Sequence, residues 1–250
     1  MEKNKNAPTP GRRRFLHVAG ATASLILLGV PHAGLTADAT KKLKIGIIGT
    51  GRIGGTLGEL WTKAGHEVMF SSLELEHDKA LAARAGGTAR AGTPGEAAAF
   101  GEVLLISVPY GALPQVGRDF ADSIKGKVVL ETANPNPARD GEMANVAKAR
   151  GTGVASSEFL PGARLVRAFN SVGFVALRSE AHRTGDKVAV PLAADDAGAL
   201  QIAVRLVQDA GFEPVVVGGL ARAKEFDTGT AVYNKALTAA ELRRRLGLNP

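Results

Sequence analysis

Residues 42–72 read KLKIGIIGTGRIGGTLGELWTKAGHEVMFSS, and this stretch decides the fold. Leu43, Ile45, Ile47 and Ile48 form a short β-rich apolar run. Gly49-Thr50-Gly51-Arg52-Ile53-Gly54 follows directly and has the spacing G-x-G-x-x-G. Ile53, Leu57, Leu60, Trp61 and Ala64 then recur at helical spacing, and Gly65 supplies a helix stop. Val68, Met69 and Phe70 make a second strand. In such a strand–turn–helix–strand unit Gly49 permits the tight turn, Gly51 lets the backbone approach a pyrophosphate, and Gly54 lets the helix pack closely. Free N–H groups and the positive dipole end of the helix face the anion. The motif has the context that a dinucleotide site requires.

Working outward, the chain alternates strand and helix. Residues 103–108 (VLLISV) and 128–130 read as buried strands, and residues 79–85 and 113–124 as helices. Thr93-Pro94-Gly95-Glu96 is a helix start with a capping box. In the second half, 165–169, 187–192 and 213–217 read as strands, 172–181 as a helix, and Asp195 or Asp196 caps a helix through Ala210. Thr238 and Glu241 open a charged C-terminal helix. Alternation at this spacing predicts a parallel sheet with helices on both faces, whose ligands sit beyond the C-terminal strand ends. Three loops meet there: Gly49–Gly54, Val108–Gly111 and Ala133–Pro137. No linker or repeat divides residues 40–250, which read as one unit.

Residues 1–39 read as a leader rather than fold. Gly11-Arg12-Arg13-Arg14-Phe15-Leu16-His17 resembles the twin-arginine export motif. The apolar run 18–30 is too short to span a bilayer, which takes about 20 helical residues. Ala37-Asp38-Ala39 is an A-x-A cleavage site. The expectation is cleavage after Ala39, export to the periplasm or medium, and no membrane span in the mature chain.

The 250 residues carry a net charge of +7. The leader holds five basic and two acidic side chains, so the remainder is only mildly basic. That gives no argument for nucleic acid. Without cysteine, disulfides, Cys–zinc sites and thiol catalysis are excluded. Of the five histidines, His17 and His32 lie in the leader. His66, His77 and His182 have no metal-ligand spacing and read as surface or loop residues, so no metal is expected.

The second strand ends Phe70-Ser71-Ser72, with no acid before Glu74. An NAD site usually carries Asp or Glu there to bond the ribose hydroxyls. Small hydroxyls accept a 2′-phosphate, so Ser71 and Ser72 favour NADP. Lys79, ahead of Arg52, is the expected source of positive charge.

KIGIIGTGRIGGTL, AGHEVMFSS, LLISVPYGAL, VVLETANPNP and VRAFNSV together resemble the NADP oxidoreductases dependent on coenzyme F420, a deazaflavin. Their nucleotide domain is related to that of STEAP-type metalloreductases. The resemblance covers nearly all of residues 42–235. It implies an α/β, NAD(P)-binding Rossmann fold with a doubly wound, mostly parallel sheet. It also implies hydride transfer between NADPH and F420 or a flavin. Thr50, Arg52 and Ile53 would line the pyrophosphate and ribose turn, and Ser71 and Ser72 the 2′-phosphate. Val108 and Pro109 would flank the cofactor's path, with Ala133, Asn134 and Asn170 near the nicotinamide. The family usually has Ser-Arg at the second strand tip, where this chain has Ser72-Leu73. No side chain is singled out as a general acid, and the Y-x-x-x-K signature of short-chain dehydrogenases is absent. Two further readings stand beside this one. One is an imine or carbonyl reductase resembling pyrroline-5-carboxylate reductase. The other is a non-catalytic NADP-binding module. A homodimer is compatible with any of them.

Overall fold

The computed structural model describes residues 41–249. The expected leader and its cleavage site lie outside the described residues. Eight strands form one sheet: β1 (Lys44–Ile48), β2 (Glu67–Ser71), β3 (Arg90–Ala91), β4 (Val103–Ile106), β5 (Val128–Glu131), β6 (Arg164–Arg167), β7 (Ala189–Ala194) and β8 (Glu213–Gly218). Their spatial order is β3-β2-β1-β4-β5-β6-β7-β8. Every pairing is parallel except β6 with β7, which is antiparallel. This is the doubly wound α/β fold expected from the sequence, extended by two strands that run the other way. The chain leaves β1 toward β2 and later re-enters the sheet on the other side of β1, at β4. A crevice opens at that switch point, beyond the C-terminal strand ends.

Strand β4 is apolar on both faces, as are β1 after Lys44 and β5 up to Glu131, because helices cover both sides. On one face, helix α1 (Arg52–Lys63) buries Leu57 and Trp61. Trp61 is fully enclosed, and its indole N–H donates to the Leu206 carbonyl (2.8 Å) in the helix Ala197–Asp209. Burying such a side chain contributes roughly 4–6 kcal/mol of transfer free energy, while the hydrogen bond fixes where α1 lies. That helix sets where the glycine turn ends.

Helix α2 (Leu75–Ala85) starts earlier than the apolar pattern suggests and takes in most of the polar stretch after β2. Helix α3 (Pro94–Phe100) has the expected capping box. The helix expected over 113–124 is broken into α4 (Leu113–Asp119) and α5 (Ala121–Ile124). The break is at Phe120, whose φ of −119° is not helical. Strand β4 stops at Ile106, which frees Ser107 and Val108 for the loop beyond it. The helix beyond β6 is shorter than expected, spanning Phe174–Ser179. Asp196, rather than Asp195, caps the helix after β7, accepting from the Ala199 N–H (2.6 Å).

His66 is a buried residue, not a surface one. Its Nδ1 accepts the Leu43 N–H (3.1 Å), and Nε2 lies 2.9 Å from Asp209 Oδ2. Burial holds its pKa below the ordinary histidine value, against the opposing pull of Asp209. With Nδ1 as acceptor, the neutral ring carries its proton on Nε2 and donates it to Asp209.

Among the described residues, no helix is long and apolar enough to cross a membrane, and no cluster of three His, Cys, Asp or Glu is placed to hold a metal.

Candidate dinucleotide site

A cleft of about 630 Å³ opens where β1 and β4 end. Its floor is the glycine turn: Gly49, Thr50 and Gly51 line it, with Ser72 from the β2 tip and Val108 and Pro109 from the loop after β4. Gly49 has φ +97°, and a Cβ there would sit 2.4 Å from the Ser107 carbonyl oxygen. A Cβ on Gly54 would sit 2.0 Å from the Gly49 carbonyl oxygen, so only glycine lets α1 seat against the turn. At Gly51 a Cβ would meet nothing within 4 Å. The space above Gly51 is therefore open, as the approach of a pyrophosphate requires. No side chain caps α1 and no acid stands in its first turn, so its N-terminal N–H groups remain for an anion. The turn fits a dinucleotide.

Pro94, Ala112, Val116 and Phe120 give the cleft a largely apolar patch that suits an adenine ring, with Gln115 and Asp119 as polar members of the same lining. The break at Phe120 places that ring on the cleft.

The turn is held by a residue that the sequence reading passed over. Asp78, fully buried on α2, accepts from the Thr50 hydroxyl and from the Ser72 hydroxyl (2.9 Å). One carboxylate thus links the glycine turn to the tip of β2. His77 also lines the cleft, its Nε2 3.4 Å from the Thr50 carbonyl.

Not every expected residue reaches the cleft. Ser71 is fully buried, and its hydroxyl donates to the Ile47 carbonyl (2.5 Å). Alternation along β2 turns Ser71 into the sheet and Ser72 toward the cleft. Lys79 does not line the cleft and pairs with Glu76 (2.7 Å) on an exposed face of α2. Arg52 lies over the Phe174 ring, 4.6 Å from its centroid. Ile53 and Gly54 support the turn from within α1 rather than lining the cleft.

Ala133, Asn134 and Asn170 also do not line the cleft and gather instead beyond the ends of β5 and β6. Phe169, two residues beyond β6, adopts the left-handed region (φ +60°), held by edge-on contacts with Trp61 and Phe212. That turn brings the Asn170 carbonyl within 2.7 Å of Asn134 Nδ2, which also lies 3.5 Å from the Tyr233 hydroxyl. The side-chain oxygens of Asn134 and Asn170 are buried and meet no donor among the described residues. Buried acceptors of this kind normally have a partner, and the carboxamide of a nicotinamide supplies N–H donors.

Beneath this end lies a buried ionic network. Arg167 and Glu131 are both fully buried and pair at 2.5 Å. Arg167 also donates to the Ala133 carbonyl (2.7 Å) and to Asp227 (3.2 Å), while Glu131 accepts the Ala133 N–H. Both polar groups of the Ala133 backbone are therefore clamped. Burial pushes the Glu131 carboxyl up, and the Arg167 guanidinium opposes that shift. Nearby, Asp140 accepts the N–H groups of Gly111 (3.2 Å) and Asn136 (2.8 Å), joining the two loops. Its bond to Arg139 holds its carboxyl down at about 2. Tyr110 faces the core, and burial raises its phenol to about 12, which removes it as an acid for the site.

Residues 44–135 match the family model described as NADP oxidoreductase, coenzyme F420-dependent. The match covers the glycine turn, the β2 tip, the loop after β4 and the Ala133–Asn134 loop. The sequence beyond residue 135 lies outside it. No curated protein matches the chain. Among solved structures, the chain resembles a hypothetical protein from Sinorhizobium meliloti, with a TM-score of 0.69 at 23% identity over 81% of this chain and 98% of that one. It also resembles a candidate F420-dependent NADP-reductase from Arthrobacter sp. FB24, with a TM-score of 0.64 at 19% identity over 78% and 99%. An imine reductase from Myxococcus stipitatus, in complex with NAD+, aligns with a TM-score of 0.53 at 17% identity over 83% and 62%. At these identities the likeness establishes the shared fold.

Proposed function

We propose that this chain is a nicotinamide-dinucleotide-dependent oxidoreductase that exchanges hydride with a flavin-like or deazaflavin acceptor. The observation that carries the reading is the cleft itself. An uncapped helix N-terminus and an open Gly51 would face the pyrophosphate and a largely apolar patch the adenine, and two buried amide oxygens without donors lie beyond the neighbouring strand ends, outside the cleft lining. The family match over residues 44–135 supports both the cofactor class and the chemistry.

When bound, the nicotinamide supplies or accepts a hydride at its ring. The chain's own residues bind and orient. Thr50, fixed through Asp78, shapes the anion site. Ala133, clamped by Glu131 and Arg167, sets the wall at the nicotinamide end. Asn134 and Asn170 offer acceptors that select one ring orientation. Transfer between two rings needs orientation and exclusion of water more than proton chemistry.

A second reading, an imine or carbonyl reductase, draws on Tyr233, whose hydroxyl lies beside Asn134 and is the phenol placed to give a proton at that end. Following cofactor absorbance with NADPH and NADH against F420, flavin and imine panels separates the two. Oxidation with F420 or flavin, unaffected by Tyr233→Phe, supports the first. Oxidation by imines, lost in Tyr233→Phe, supports the second. Binding without turnover on any panel would leave a nucleotide-binding module. We further propose that residues 1–39 direct export by the twin-arginine route, which carries folded proteins and so allows cofactor loading before export.

A further inference from the structure

We infer that Leu73 and Glu74 make the adenosine end of this cleft selective for an unphosphorylated ribose, so that the chain prefers NAD(H) to NADP(H). The inference rests on the dinucleotide reading above and refines which cofactor the same cleft takes.

The β2 tip presents Ser72, Leu73 and Glu74 to the cleft, α2 adds His77, and Asp119 lines it from α4. No Lys or Arg lines it. The acidic side chains there are Glu74 and Asp119, and His77 is the one basic side chain among the lining residues. The cations expected to meet a 2′-phosphate are engaged elsewhere, Lys79 with Glu76 and Arg52 with the Phe174 ring. Leu73 stands where the resembling family carries its arginine. It is 99% exposed, an apolar side chain at the rim of the cleft.

Glu74 is the acid nearest the strand tip. Its backbone N–H donates to the Ser72 hydroxyl (3.1 Å), which fixes its position on the rim. Its carboxylate enters no ion pair among the described residues. Asp78 cannot take the same part, because it is fully buried and both its oxygens are engaged by Thr50 and Ser72. A carboxylate at a strand tip accepts hydrogen bonds from ribose hydroxyls and repels a phosphate dianion in the same place.

The test is to titrate the full chain with NADH and NADPH at pH 7.5 and low salt, following cofactor fluorescence. NADH is expected to bind roughly tenfold more tightly, a ratio set by carboxylate–phosphate repulsion across a partly solvated rim. Glu74→Gln is expected to bring the two affinities to within about threefold, with an unchanged melting temperature because the side chain is exposed. Leu73→Arg, a second exposed change, is expected to tighten NADPH alone. NADPH binding tighter than NADH in the unaltered chain would overturn the inference, as would a ratio unmoved by Glu74→Gln. Binding of neither cofactor would refute the dinucleotide reading itself, and the inference with it.

Discussion

Replacing Arg167 by Met tests the buried network that clamps the Ala133 backbone. Arg167 and Glu131 have no solvent exposure, so the substitution leaves a carboxylate enclosed without its partner. It also strips the Ala133 carbonyl of its donor. Removing one member of such a pair costs about 3–5 kcal/mol. For a domain of this size, each kcal/mol lowers Tm by about 2–4 °C, so the drop should be roughly 6–20 °C. The loss should also acquire a pH dependence. Burial pushes the Glu131 carboxyl up, and without Arg167 nothing of opposite charge opposes it. The folded chain then holds its proton above the pH at which the unfolded chain releases it. Stability accordingly falls as pH rises above the ordinary carboxylate range, and Tm should be lower at pH 8 than at pH 5. The double variant Arg167→Met with Glu131→Gln removes the orphaned charge and should recover at least half of the loss. Differential scanning fluorimetry at the two pH values provides the assay. A single variant within about 3 °C of the unaltered chain, or a double variant no more stable than the single, would refute the argument.

Gly51→Val and Gly54→Ala should separate binding from folding. The first places atoms in open space, so Tm should hold while dinucleotide affinity falls at least about tenfold, since the pyrophosphate needs close backbone approach; retained affinity by titration would count against the site. The second drives a Cβ to 2.0 Å from the Gly49 oxygen, and should lower Tm as well as binding. His66 should make the fold acid-sensitive. Its pKa is lowered mainly by burial, so the unfolded chain binds the extra proton as pH falls below the ordinary histidine value. Stability is expected to decline on acidification from pH 7 to 5, by at most about 1.4 kcal/mol per pH unit from this group. His66→Asn, which keeps an acceptor for the Leu43 N–H, should flatten that slope in denaturant titrations. Export should yield a mature N-terminus at Thr40. N-terminal sequencing that finds Met1 on the exported protein would defeat the leader assignment, and lysines at Arg12 and Arg13 should block export.

The sheet was legible because its signals are local. Apolar runs, glycine stops and two capping boxes each report on a few neighbouring residues, and the glycine turn carries its own context. What the pattern could not convey was phase and distance. Along α2 each residue turns by about 100°. His77, Asp78 and Lys79 therefore point to the cleft, the core and the solvent, whereas charge alone favours Lys79. Ser71 and Ser72 are likewise parted by strand alternation. Asp78 beneath Thr50, Arg167 beneath Ala133 and Tyr233 beside Asn134 join residues 28, 34 and 99 positions apart, pairings that only the tertiary fold creates. The break at Phe120 and the antiparallel entry of β7 depend in the same way on what the chain meets after it folds. A signal for Asp78 did exist, since it is an acid at a buried phase of an amphipathic helix that follows the β2 tip.

The carboxylate linking Thr50 to Ser72 bears on kinetics. The glycine turn and the β2 tip are the segments that a nucleotide-binding loop would otherwise have to order around its ligand. Here folding itself draws them together, through two hydroxyl donors on one enclosed side chain. Capture of the cofactor then involves little further loss of backbone freedom at this end. Association should follow a single exponential whose rate rises linearly with cofactor concentration, without a slow closing phase. Asp78→Ala should introduce such a phase even where the final affinity is only modestly changed.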